Sequence, residues 1–208
     1  YDDKWWGVFP NTTGTYIWRL DGSSWTQMLK LSTATNTKAD TLAAGDVTHI
    51  LLFRGTTSEL ASVQYVPATG TYEFWSQRPN PQLTTVPLPA GVETATIAMD
   101  STGRMWLASD GYTTISVRHS DSPYASWSAP IELVNNISTD DISVVGALPN
   151  GTVGVLWSNQ TTDRFGFRLH VDGTDPLLWG ADEVPASQSA LNVGGGMADD
   201  HLNLAIAS

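Results

Sequence analysis

The stretch Glu93–Ser109, ETATIAMDSTGRMWLAS, constrains this chain more than any other, because the chain keeps returning to its plan. Two short apolar runs, Thr94–Met99 and Met105–Ser109, flank Asp100-Ser101-Thr102-Gly103, a tetrad of turn formers, and this spacing predicts a β-hairpin. Asp141–Ser158 (DISVVGALPNGTVGVLWS) repeats the arrangement. An acidic residue opens a run, Pro149-Asn150-Gly151 turns it, and Trp157 closes the return strand. Asp200–Ser208 starts a third copy, and Asp40–Arg54 is a shorter version around Ala44-Gly45-Asp46. A unit that recurs every fifty residues or so predicts a repeat architecture of stacked β units.

Taken in order, the chain divides into four such units. Residues 4–31 give strands at Trp5–Phe9, Thr15–Leu20 and Trp25–Leu31, separated by two turns and lacking the first strand of the later units. A second unit over 39–78 predicts strands at Asp40–Ala43, His49–Arg54, Leu60–Tyr65 and Tyr72–Trp75. Its tail, Pro79 to Pro89, is a proline-stiffened connector that cannot join a central strand. The third unit, 92–133, adds Thr114–Ser120 and Trp127–Leu133 to its hairpin. The fourth, 140–185, adds Phe165–Val171 and ends around Trp179. Gly194-Gly195-Gly196 reads as a crossover to a lone strand, His201–Ala207. The expectation is an all-β chain, a β-propeller of about four four-stranded antiparallel blades. Two arrangements stay open: a ring in which strand 200–207 completes the blade begun by 4–31, or a contiguous piece of a larger propeller whose open strand edges meet further blades or other copies.

Composition narrows the partners. Of 208 residues, 41% are hydrophobic and only 15% charged, with 18 Gly and 11 Pro, as many short strands joined by turns require. A net charge of −11 excludes nucleic acid as a partner, since displacing counterions from phosphate needs Lys and Arg. Without cysteine there is neither a disulfide framework nor a thiolate zinc site. No apolar run reaches the roughly 20 residues of a membrane span. Sequons stand at Asn11, Asn136, Asn150 and Asn159.

Through DSTGRMW, WSAP, VLWSNQ and HVDG the chain resembles β-propellers of the sialidase-like, sugar-associated kind found in secreted bacterial proteins. The aspartate box of sialidases reads roughly Ser-x-Asp-x-Gly-x-Thr-Trp. Asp100 to Trp106 keeps its turn and its Trp while departing from the pattern. The resemblance implies an extracellular or periplasmic location and a carbohydrate or protein ligand.

An acidic residue opens each first strand: Asp40, Glu93, Asp141 and Asp200. On innermost strands these carboxylates would surround one channel mouth, where they would hold a cation such as Ca²⁺ or a ligand, or else accept backbone N–H groups as mortar between blades. Asp141, Asp199 and Asp200 are the metal candidates; no other cofactor is implied. Glu93, His201 and Arg104 form the candidate acid–base set, with Arg118 or Arg168 as alternative carboxylate forks and Tyr112 as the nearest nucleophile. Of nine Trp residues most should pack between blades. Adjacent Trp5 and Trp6 must face opposite ways, leaving one indole to stack on a sugar ring. Three functions follow: a non-catalytic binding module for carbohydrate or protein first, then a polysaccharide-active hydrolase or lyase, then a structural subunit joined through strand edges.

Overall fold

A computed structural model describes residues 1–78, 80–187 and Leu202. Among these residues there is no helix, and so none long and apolar enough to cross a membrane. The fold is all-β and propeller-like, built of successive antiparallel meanders. It divides into two compact units, Tyr1–Val86 and Pro87–Ser208.

The first unit holds two sheets. One has three strands in sequence order, β1 (Trp6–Asn11), β2 (Gly14–Asp21) and β3 (Ser24–Ser32). The other runs β4 (Lys38–Ala44), β5 (Val47–Phe53), β6 (Glu59–Val66) and β7 (Thr71–Phe74), with a short β8 (Leu83–Thr85) paired to β6. β5 is buried along almost its whole length because both of its faces are covered, whereas β4 stays partly exposed. Ile17 and Leu31 of the first sheet pack with Ile50, Leu52, Ala61 and Val63 of the second, so the core lies between two sheet faces.

The second unit repeats the plan. Its sheets are β9 (Ala95–Met99), β10 (Met105–Asp110), β11 (Thr114–Ser120) and β12 (Ile131–Asn135), then β13 (Ser143–Leu148), β14 (Thr152–Asn159), β15 (Arg164–Val171) and β16 (Glu183–Ser187). Trp106 from β10 and Trp157 from β14 are fully buried in one core with Ile115, Val117, Val145 and Val155. Each indole removes enough surface from water to contribute on the order of 4–6 kcal/mol before the entropy of ordering is subtracted.

The strands fall close to where the sequence places them, with four differences. The strand expected over Trp127–Leu133 begins only at Ile131, after Pro130, which has no N–H to give a ladder. The proline connector does supply a strand, β8, but at the sheet edge, where Leu83–Thr85 shares the outer side of β6 with β7. The fourth unit runs on past Trp179, which lies in the loop before β16. The second sheet has five strands rather than four, because β8 joins it, whereas the three strands described in the first are the three expected over 4–31. Gly194-Gly195-Gly196 and the strand expected over His201–Ala207 lie outside the described residues.

Candidate functional site

The β5–β6 connection, Arg54-Gly55-Thr56-Thr57-Ser58, is the local device behind a polar groove beside the second sheet. Gly55 takes the left-handed conformation (φ 59°) that turns the chain. Ser58, fully buried, staples the turn: its hydroxyl donates to the Gly55 carbonyl at 2.7 Å and accepts the Arg54 N–H at 2.8 Å. The two residues flanking the turn thereby face each other. Arg54 Nη2 donates to Glu59 Oε2 at 2.6 Å, a charge-assisted bond with both side chains only partly exposed.

This pair lies in a groove of about 490 Å³, lined also by Ser32 and Thr33 at the end of β3, Phe74 of β7, and Gln82. Arg54 Nε is buried and makes no hydrogen bond among the described residues. The groove thus joins two cations, Lys30 and Arg54, with one carboxylate, hydroxyl and amide groups and one aromatic ring. Such a set can bind several hydroxyls on one side of a ligand and an apolar face on the other.

Arg78 anchors the connector that brings Gln82 to the groove. Almost completely buried, it donates from Nη2 to the Leu60 carbonyl at 3.0 Å and to the Gln82 carbonyl at 3.3 Å, which fastens the connector to β6. Burial lowers its pKa to about 10, so it remains cationic at neutral pH. Nearby His49 bonds through Nδ1 to the Ser62 hydroxyl at 2.8 Å; burial first, and the Arg78 charge second, lower its pKa to about 4.

The residues that the sequence singled out are distributed differently. Asp141 is fully buried, and its carboxylate accepts the backbone N–H groups of Ser138 at 2.6 Å and Gln160 at 3.0 Å. Asp40 is half-buried on β4. Glu93 is exposed, and its backbone N–H donates to buried Asp110 at 2.8 Å. Asp110 also accepts from the Thr94 N–H and hydroxyl, but burial outweighs these bonds and raises its pKa. Arg104 forks onto Asp121 at 2.8 and 3.1 Å, and Glu93 and Arg104 share no hydrogen bond or ion pair among the described residues. Arg118 donates to the Ser128 carbonyl and lines a smaller hollow of about 340 Å³ with Asp110 and Glu132. Tyr112 stands exposed over Gly91. Asp199, Asp200 and His201 lie outside the described residues. Among the described residues no group of three or more His, Cys, Asp or Glu is placed to hold a metal ion.

Trp6 turns toward the core, edge-on to Tyr72 at 5.0 Å with Arg19 over its ring at 5.9 Å, while Trp5 is 76% exposed. Of the sequons, Asn136 and Asn150 are exposed in left-handed conformations; Asn11, bonded to Gln27, and Asn159 are half-buried. Sequence reasoning missed Arg54, Glu59 and Phe74 as a group. The one local signal was a Gly-Thr-Thr-Ser turn between oppositely charged residues.

No protein-family model matches the chain, and no curated protein matches it. Among solved structures it is similar to a mutant of the Aleuria aurantia lectin in complex with Fucα1-6GlcNAc. The TM-score is 0.51 at 14% identity, over 86% of this chain and 55% of the lectin. The chain shares the fold of that lectin. It spans little more than half of the lectin's length, and at this identity the likeness concerns the fold alone. It is also similar to the same lectin with α-methyl-L-fucoside, at 13% identity and TM-score 0.47 over 89% of this chain and 58% of that one. An endo-1,4-β-xylanase from Bacteroides thetaiotaomicron gives 10% identity and TM-score 0.47, over 92% of this chain and 73% of that one.

Proposed function

We propose that this chain is a non-catalytic carbohydrate-binding module and that the groove beside Arg54 and Glu59 takes a single sugar residue. One observation carries the reading: the 2.6 Å Arg54–Glu59 ion pair lines one groove with the hydroxyl groups of Ser32 and Thr33 and the Phe74 ring. A pyranose offers the complement, with vicinal hydroxyls for the guanidinium and carboxylate and a C–H face for the ring. The fold shared with a lectin in complex with Fucα1-6GlcNAc supports the same reading.

The charge inventory of this groove supports binding there rather than hydrolysis. Glycoside hydrolysis usually needs two carboxyl groups, one on each side of the scissile bond. Among the residues lining the groove Glu59 is the only carboxylate, and it is bound to Arg54. Titration calorimetry with L-fucose, D-galactose and D-glucose tests the proposal. Binding of at least one monosaccharide is expected, weakened about tenfold or more in Glu59→Gln, which removes one charge-assisted bond. Equal affinity in wild type and Glu59→Gln, or no binding of any of the three, would overturn it.

A further inference from the structure

The face of the first sheet turned away from its core is a row-by-row aromatic surface. Alternation along β1 puts Trp6 and Val8 against the core and places Gly7 and Phe9 on the other side, with the exposed Trp5 immediately before the strand. The register extends this face across three strands. Leu20 pairs with Trp25 and bonds through its N–H to the Trp5 carbonyl, Trp18 lies between Gly7 and Gln27, and Tyr16 lies between Phe9 and Lys30. Gly7 lets the surface form. A Cβ there would stand 2.5 Å from the Phe9 ring and 3.4 Å from the Trp25 ring, so these two side chains converge over the one position with no side chain. Phe9 and Trp25 meet edge-on at 5.1 Å.

Trp5 is 76% exposed and Phe9 and Trp25 43% each, on a chain whose other Trp residues are more buried. The indole N–H groups of Trp6 and Trp18 are spent on carbonyls, of Tyr1 and Phe9, whereas those of Trp5 and Trp25 have no partner among the described residues. Beside the rings lie the Asn11 and Gln27 amides, bonded to each other at 3.0 Å. The only formal charge among these rows is Lys30, at one end and over Tyr16 at 5.5 Å.

We infer that this face binds an extended, neutral, β-linked glycan chain, as a second site that does not depend on the Arg54–Glu59 groove. Trp25 lies on the outer strand β3 and Trp5 immediately before the outer strand β1, with Leu20 bonded to one and paired with the other, so their backbones stand roughly 10 Å apart by two strand spacings. Two successive rings of an extended β-1,4-linked chain cover a similar span, so alternate sugars would stack on the two indoles. Free indole N–H and amide groups between them meet hydroxyls, a role an apolar protein surface would not need. The near absence of charge on the face matches a neutral chain.

Titration of the full chain with cellohexaose and xylohexaose tests this, alongside light scattering. Wild type should bind at least one hexasaccharide, Trp5→Ala and Trp25→Ala should each weaken it about tenfold, and Trp25→Phe should keep most of the affinity. Both alanine variants should melt where wild type does, since both rings are at the surface. Failure of wild type to bind either hexasaccharide would overturn the inference, as would unchanged affinity in both alanine variants. So would a wild-type dimer that Trp25→Ala converts to monomer with no glycan bound, which would make the face a self-association surface. Monosaccharides report on the groove, so the two sites fail separately.

Discussion

Asp100 accepts the backbone N–H groups of Thr102 and Arg104 at 2.9 Å, the Thr102 hydroxyl at 2.7 Å and the Trp106 indole N–H at 3.0 Å. Burial raises its pKa, but the bonds from Thr102, Trp106 and Arg104 outweigh that effect, and the carboxyl stays below its ordinary value. One side chain therefore closes the β9–β10 turn and fixes the buried Trp106. Asp100→Ala should cost about 2–4 kcal/mol in urea unfolding, because it strands several donors at once, and Asp100→Asn should cost less. His49 makes stability depend on pH in a defined direction. Its pKa falls from 6.5 in the unfolded chain to about 4 in the fold, so between these values the unfolded state takes up a proton that the fold refuses. The contribution is complete above pH 6.5 and is lost as pH falls toward 4, by up to about 3 kcal/mol. Urea midpoints measured across this window should fall with pH, and less steeply in His49→Gln.

At the scale of the element, close packing sets the sequence as firmly as hydrogen bonding does. Gly166 on β15 lies directly under Trp157 of β14, its register partner. A Cβ at Gly166 would stand 2.1 Å from the indole, which is almost fully buried and has no room to withdraw. Gly166→Ala should therefore destabilise by roughly 1–3 kcal/mol or more through overpacking, seen as a lower melting temperature with altered near-ultraviolet dichroism. The β5–β6 turn is built on the same economy, with Ser58 at the end of a five-residue connection bonding back to its first two residues, Arg54 and Gly55. Losing that hydroxyl would loosen Arg54 and Glu59 together, so Ser58→Ala should weaken monosaccharide binding without touching the groove itself.

Across the whole molecule, charge sets the environment in which either site works. With 21 acidic residues against 10 Lys and Arg, the chain carries −11 at neutral pH. Polyanionic glycans are repelled at long range, and neutral ones are not. Affinity for a neutral oligosaccharide should hardly change between about 20 and 300 mM salt, whereas any binding of a polyuronate should appear only at the higher value, where the screening length is short. Calorimetry at the two salt concentrations distinguishes these outcomes, and strong polyuronate binding at low salt would refute the argument.

The sequence by itself determined the strands and turns. Alternation with period two and turn residues such as Asp100 to Gly103 and Pro149-Asn150-Gly151 act within a few positions, so β1 to β7, β9 to β11 and the β13–β14 hairpin are legible from the order of residues alone. Pairing and packing, which act between residues distant in the chain, are not. Only the tertiary structure decided that Phe74 and Thr33 would line a groove with Arg54 and Glu59, or that Phe9 and Trp25 would converge over Gly7. It also decided that the Asp141 carboxylate would be occupied by backbone N–H groups, a choice the sequence left open between mortar and ligand site. A carboxylate looks the same in the sequence whether it faces backbone amides or solvent, because its environment is set by strand register and by which sheet faces meet.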